Sequence, residues 1–423
     1  GRTIIAVRDN PDSAAAYTVS PTRTRLLGFA LSGGIAGLGG GALGGLLQQI
    51  PLQGRFFQPF ESLRIVSMAV IGGLGSVVGP LLGAAWVEGL RGLFPDNELI
   101  PLFTSSIGLL LLLLYFPGGL VQIGFSTRDS LFSWLERRRP PVETIKNTAA
   151  PVPGRPRRED RTPATLAVEG ITVRFGGNTA VNNATLHVDD GEIVGLIGTN
   201  GAGKSTLMNS IGGFVPSEGS VELLGTMVAG RSSQRRARGG LGRTFQAATL
   251  FPELTVVETV QVALESQHRT RLAGTALHSP FARKAERAKL AQAHELISFL
   301  GLGRYANAYI AELSTGTRRI VELAGLLALD ARMLCLDEPT AGVAQRESEA
   351  FGPLLKRIRD ELDASILIVE HDMPLIMSIS DRVYCLEQGA VIAEGTPDEV
   401  RNNPNVIASY LGTDTRAIER SDS

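Results

Sequence analysis

The chain has 423 residues, with 41 Lys+Arg against 42 Asp+Glu for a formal net charge of −1, which gives room for two or three domains and no basic excess to call for a nucleic-acid partner. Its two cysteines, Cys335 and Cys385, each sit inside an apolar run, so a disulfide framework is unsupported and a reducing cytosol suits the second half. Five scattered histidines, in no H-x-x-x-H or Cys/His spacing, leave no pattern for a structural metal.

The averages conceal two unlike halves. From about residue 25 to 124 the chain is mostly Gly, Leu, Ala, Val and Ile; from about Leu166 it has the charge and alternation of a soluble α/β domain. It opens on Gly1 rather than methionine, in a charged polar stretch without an apolar signal region, and is expected to be a fragment. Arg2, Arg8, Arg23 and Arg25 place this start in the cytosol. Apolar blocks follow at 26–50, 65–94 and 102 to about 125, against the roughly 20 residues that a span requires. The middle block is broken by GGLGSVVGP, residues 72–80. It reads either as two spans with a tight turn, 57–74 and 76–94, or as a re-entrant hairpin. An even number of crossings returns the chain to the cytosol, and Pro95-Asp96-Asn97-Glu98, without Lys or Arg, suits an outside loop. Four spans is the reading adopted, with two spans plus the hairpin as the alternative. Gly33, Gly34, Gly37, Gly39, Gly40 and Gly41 permit the close helix packing of a polytopic bundle. Glu61, Arg64, Glu88 and Arg91 fall near span ends, where interfacial snorkelling and substrate contact are both open.

The stretches GRTIIAVRDNPDSAAAYTVSPTRTRLLGFALSG, AVIGGLGSVVGPLLGAAWVE and YFPGGL resemble the C-terminal half of permease subunits of bacterial branched-chain amino-acid ABC importers. The resemblance covers roughly residues 1–125 and implies that the first permease half is missing. It also implies a coupling loop that docks on an ATPase, here Arg8, Asp9, Asn10 and Ala14 to Ala16.

Residues 137–164, RRRPPVETIKNTAAPVPGRPRREDRTPA, are rich in proline and unpaired charge and read as a disordered tether. Arg137, Arg138 and Arg139 mark a cytosolic membrane face. Farther on, the segment from Gly198 to Thr206, GTNGAGKST, fits G-x-x-x-x-G-K-[ST] between an apolar strand, 192–197, and a helix opening at Lys204. Gly201 and Gly203 let backbone amides close around phosphates, with Asn200 and Thr206 in the same loop. Lys204 brings positive charge and Ser205 a hydroxyl for Mg²⁺. Met333 to Glu338 is an apolar strand ending in two carboxylates. Asp337 is expected to hold Mg²⁺ through water, and Glu338 to act as general base on the attacking water.

From Leu166 onward the order of motifs resembles the ATPase subunit of the same importer family. By that resemblance Phe175 stacks on adenine, although a core phenylalanine is equally open. Gln246 reaches Mg²⁺ and the attacking water, and His371, after the apolar strand 365–370, contacts the γ-phosphate. The signature segment is Leu313-Ser314-Thr315-Gly316-Thr317 against a family pattern of Leu-Ser-Gly-Gly-Gln. Ser314 and Gly316 keep what a γ-phosphate contact from a helix N-terminus needs, whereas Thr315 and Thr317 depart from the pattern. Ala341-Gly342-Val343-Ala344 lacks the aspartate common in the family's D-loop.

The fold class expected is an α-helical membrane domain, a partial permease bundle, joined to an α/β P-loop ABC-type ATPase domain with a helical subdomain. The domains are 1–136 (permease with N-terminal coupling loop), 137–164 (linker), 165–415 (ATP-binding domain) and 416–423 (tail). The function implied is ATP-driven import of branched-chain amino acids through the cytoplasmic membrane by a multi-pass subunit with a cytosolic ATPase. Urea or short amides are the alternative cargo; an exporter and a non-transport ABC ATPase are the rival classes. ATP and Mg²⁺ are the cofactors. A second permease, a second ATP-binding domain in a homo- or heterodimer, an extracytoplasmic substrate-binding protein and membrane lipid are the expected partners.

Overall fold

The computed structural model describes residues 1–47, 59–94 apart from 77, 110, 114–115, 118–122, 164–246, 250–268, 279–343 and 345–411. The expected linker apart from Ala164, the third apolar block apart from a few positions, the outside loop at 95–98 and all residues from 412 on, the expected tail 416–423 among them, lie outside them. The chain divides into two compact units, Gly1–Leu31 with Ile145–Ser423, and Ser32–Thr144.

The first unit opens with helices α1 (Arg2–Asp9) and α2 (Pro11–Ala16). Asn10 separates them: its extended backbone breaks the helix, and its side chain accepts from the amides of Asp12 and Ser13 to start the next. Pro11 follows at the first helical position, where its missing N–H costs nothing. Helix α3 (Pro21–Leu47) begins in this unit and continues into the second, 27 residues with Pro21–Leu46 apolar and long enough to cross a membrane.

In the second unit, α4 (Pro59–Gly72) is followed after a short break by α5 (Gly79–Ala84), which continues through a π turn, Ala85–Gly89, into α6 (Leu90–Leu93). The backbones of α4 and α5 touch, since a Cβ on Gly83 would lie 1.8 Å from the Met68 carbonyl oxygen. At 1.5 Å per residue the helical run 79–93 spans about 22 Å, short of the roughly 30 Å hydrocarbon core. That run lies inside the expected 76–94 span, of which residue 77, like 95–98 beyond it, is outside the described residues. Arg64 and Glu88 are paired at 2.9 Å between α4 and the π turn, so each has a protein partner.

The remainder of the first unit is α/β. Strands β1 (Ala164–Phe175) and β2 (Asn178–Asp189) form an antiparallel hairpin extended by β4 (Glu218–Leu223) and β5 (Thr226–Met227), in the order β2-β1-β4-β5. The second sheet has the order β10-β9-β3-β8-β7-β6, built from β3 (Ile193–Ile197), β6 (Leu241–Arg243), β7 (Met333–Asp337), β8 (Ser365–Val369), β9 (Arg382–Glu387) and β10 (Ala390–Gly395). All its pairings are parallel except β10 with β9. Strands β3, β7 and β8 are buried on every residue, which is why they read as unbroken apolar runs. Cys335 on β7 and Cys385 on β9 are buried there as free thiols.

Helix α7 (Lys204–Gly212) follows β3, and the short α8 (Ser233–Arg238) precedes β6. Between β6 and β7 come α9 (Val256–Leu264), α10 (Pro280–Phe299) and α11 (Thr315–Ala328), a helical subdomain. Its core also takes in Ala6, Val7, Ala14, Ala16, Tyr17 and Val19, so the N-terminal helices are seated on it. Arg8 pairs with Glu253 at 2.6 Å, and Arg2 with Gln261 and Glu286. The described residues end with α12 (Gln345–Leu362), α13 (Met373–Ile379), α14 (Pro397–Arg401) and α15 (Pro404–Leu411).

Candidate nucleotide site

Parallel strands β3, β8 and β7 lie side by side, and their carboxyl ends bring Gly198–Lys204, His371 and Asp337-Glu338 to one edge, the place where open α/β sheets form a crevice. A cleft of about 620 Å³ lies there, lined by Asn200, Gly201, Gly203, Lys204, Ser205, Thr206, Gln246, Glu338 and His371 with Asn178–Ala180 of β2. Helix α7 begins at Lys204 without any side-chain cap on its first amides. Those N–H groups and the dipole behind them favour an anion.

Lys204 is 6% exposed and its ammonium donates to the carbonyls of Gly198 (2.7 Å) and Thr199 (2.9 Å). Burial lowers its pKa, while Glu338 and Asp337 act the other way. Its charge is thus held over the loop rather than in solvent. Asp337 lies at the end of β7, with Ser205 Oγ 3.5 Å from one carboxylate oxygen and Arg243 donating to the other at 3.1 Å. Arg243 is fully enclosed; burial lowers its pKa and Asp337 opposes that shift. Asn209 on α7 accepts from the same guanidinium at 2.7 Å, and Thr244 Oγ1 accepts from the Asp337 amide at 3.0 Å.

Glu338 follows the strand with φ 45°, a left-handed conformation that a side-chain-bearing residue adopts at a cost of about 1–3 kcal/mol. The turn points the carboxylate away from the sheet. One oxygen accepts from Gln246 Nε2 at 2.9 Å and the other lies 2.9 Å from His371 Nε2. A carboxylate, an amide and an imidazole therefore meet beside the phosphate-type loop, an arrangement able to orient and deprotonate a water. Thr340 and Glu370 brace the turn from behind, Thr340 donating through its hydroxyl (2.6 Å) and amide (2.8 Å).

The remaining residues singled out by the sequence motifs lie differently around this cleft. Phe175, at the end of β1, is 53% exposed and is not a core phenylalanine; the cleft-lining strand β2 starts three residues on. Ser314 caps α11 by accepting from the Thr317 amide at 3.2 Å, and neither Ser314 nor Gly316 lines the Lys204 cleft. Gly342 sits 3.7 Å, measured from an added Cβ, from the Thr315 methyl; Ala344 lies outside the described residues. Arg243 and Thr244 belong to the site although the sequence reading gives them no role within the stretch that carries Gln246. Their one signal in the sequence is their place, directly ahead of Phe245-Gln246.

Comparison with known proteins adds to this geometry. Residues 181–341 match the family described as ABC transporter, residues 1–98 the branched-chain amino acid transport system permease component, and residues 390–415 a branched-chain amino acid ATP-binding cassette transporter family. The high-affinity branched-chain amino acid transport ATP-binding protein LivG of Salmonella typhimurium is 42% identical over 248 residues, 58% of this chain and 97% of the relative. BraF of Pseudomonas aeruginosa, named in the same words, is 39% identical over 248 residues with the same coverage. Among solved structures, a nucleotide-free ATP-binding cassette from an ABC transporter superposes with TM-score 0.52 at 27% identity, covering 59% of this chain and 99% of that one.

Proposed function

Because the chain belongs to the family of ATP-binding proteins of branched-chain amino-acid ABC transporters and joins that cassette to a permease segment, we propose that it is a fused permease and ATPase subunit of an importer for branched-chain amino acids. The cassette is an ATP hydrolase associated with the membrane through the permease segment and working on its cytosolic side. One observation carries the reading: Lys204, Gln246, Glu338 and His371 line a single cleft, in a chain whose residues 1–98 match a permease.

In this account the loop amides of Asn200, Gly201 and Gly203, with Lys204 and Thr206, hold the β- and γ-phosphates. Ser205 and Asp337 present a hydroxyl and a carboxylate oxygen 3.5 Å apart, the hard oxygen donors that Mg²⁺ prefers, with Gln246 nearby through its tie to Glu338. Mg²⁺ there would neutralise phosphate charge as it develops. Glu338 takes the proton of the attacking water, His371 and Gln246 hold its carboxylate in position, and His371 contacts the γ-phosphate. Phe175 reaches adenine from the end of β1. Ser314 and Gly316, away from their own chain's cleft, serve the nucleotide of a second cassette.

The domain limits proposed are those read from the sequence: a permease segment over residues 1–136, tether 137–164, cassette 165–415, tail 416–423. Residues 1–19, seated on the helical subdomain, support the coupling role of that segment. A second permease, a second cassette, an extracytoplasmic binding protein and the lipid of the cytoplasmic membrane complete the assembly. In the purified, partner-complete complex, Glu338→Gln is expected to keep ATP binding and lose steady-state hydrolysis, since an amide cannot accept the proton. Normal turnover in that variant would refute the assignment.

A further inference from the structure

Arg319 and Glu322, on α11, are 2% and 3% exposed, and the functional reading above gives them no role. Arg319 Nη1 donates to Glu322 Oε2 at 3.0 Å and to the carbonyl of Phe245 at 2.6 Å, while Nη2 donates to the carbonyl of Gln246. One guanidinium thus holds the carbonyls of the two peptides that flank the Gln246 Cα. Gln246 itself is exposed, and its side chain reaches Glu338. The planar fork serves these three acceptors from two nitrogens, whereas a lysine ammonium would have to reach all three from one. Glu322 supplies the buried acceptor that, with the two carbonyls, takes the hydrogen bonds donated by Nη1 and Nη2.

The same helix receives Tyr17. Its ring is 2% exposed, lies edge-on to Phe251 at 5.9 Å, and its hydroxyl donates to the Glu322 carbonyl at 3.3 Å. Position 325 has to be glycine for this to happen, because a Cβ there would lie 2.2 Å from the Tyr17 hydroxyl oxygen. Arg238 fixes the following residue by donating to the Thr18 carbonyl at 3.0 Å.

We propose that the Arg319–Glu322 pair positions Gln246 beside Glu338, and that Tyr17, seated in the gap left by Gly325, sets that pair. Arg319 is a positioning residue, acting through the backbone of Gln246 rather than touching nucleotide. The path runs from the N-terminal segment through α11, whose first turn also carries Ser314 and Gly316. The inference rests on the importer reading and names the side chains by which the membrane segment acts on the hydrolytic group.

The test compares Arg319→Lys, Gly325→Ala, Tyr17→Phe and the double variant Arg319→Lys/Gly325→Ala in the partner-complete complex, with Glu338→Gln as control. ATP affinity is read with a fluorescent ATP analogue, kcat by phosphate release, and folding by thermal unfolding. Arg319→Lys is expected to lower kcat roughly tenfold, the scale on which misplaced groups cost rate, with nucleotide affinity within about twofold. Gly325→Ala, which leaves the pair itself intact, should lower kcat roughly fivefold, and Tyr17→Phe less. The double variant should be no slower than Arg319→Lys, since both changes act on one path. Wild-type kcat in Arg319→Lys, or additive losses in the double variant, would overturn the proposal. If Arg319→Lys does not assemble, Gly325→Ala decides, and an unchanged kcat there refutes the link. Failure of the importer reading looks different, because Glu338→Gln would then turn over normally.

Discussion

Burial pushes the Glu322 carboxyl up to about 7, even with the Arg319 guanidinium 3.0 Å away. Compared with its ordinary value of 4.5, the folded chain therefore keeps a proton that the unfolded chain has released. The resulting stability is fully present below about 4.5 and is lost as pH rises towards 7, with a slope of at most about 1.4 kcal/mol per pH unit. Glu322→Gln is expected to remove that slope, so the Tm of the variant should vary less between about pH 5 and 7 than that of the parent. Parallel profiles over that window would show that Glu322 does not titrate there. Arg243 presents the complementary case, a cation held against Asp337 with both side chains nearly sealed. Arg243→Met leaves a buried carboxylate without its counter-charge and is expected to destabilise the cassette by about 3–5 kcal/mol in urea unfolding. A loss below about 1 kcal/mol would contradict the pairing. These arginines are not legible from the sequence because their partners are remote: Asp337 lies 94 residues from Arg243, and Phe245 74 from Arg319. The residues of the phosphate-type loop can be read because spacing within a single turn is a local property.

Strands β3, β7 and β8 are readable as apolar runs because both faces of a parallel sheet are covered, and each ends within a residue of the sequence reading, at Ile197, Asp337 and Val369. Helix lengths in the membrane half are not, since apolar composition says where a chain enters lipid but not where its backbone turns. The break at GGLGSVVGP is legible; the close contact of Gly83 with Met68 depends on a partner helix that composition does not reveal. The short run 79–93 leads us to expect a hairpin that enters and leaves on one side. In the complex, a cysteine at Ser76 should resist a membrane-impermeant thiol reagent applied from the cytosol, whereas one at Pro95 should react from outside. Cytosolic labelling at Ser76 would restore two full spans. The native thiols do not interfere: Cys335 and Cys385 are buried, with pKa values pushed up to about 12 and about 11.

On the scale of the whole molecule, the chain carries one phosphate-type loop and one signature segment, and Ser314 does not line the Lys204 cleft. On the proposed reading a second cassette completes the site, so the isolated chain should hydrolyse ATP weakly and with a specific rate that rises with concentration or on adding its partner. The departure at Thr315 belongs to the same scale, since it would weaken the site formed on the partner's nucleotide; Thr315→Gly should raise turnover there, and an unchanged rate would remove that expectation. The N-terminal residues of the permease-matching segment share the cassette's core through Tyr17 and its neighbours, and on the proposed reading this is where hydrolysis is coupled to the permease. The most direct test of the central claim is the initial rate of radiolabelled leucine uptake into proteoliposomes holding the complete complex and its binding protein, with ATP supplied on the cassette side. The account predicts ATP-dependent uptake in the parent and none in Glu338→Gln; equal uptake in the two, or none in either while the parent hydrolyses ATP, would contradict it.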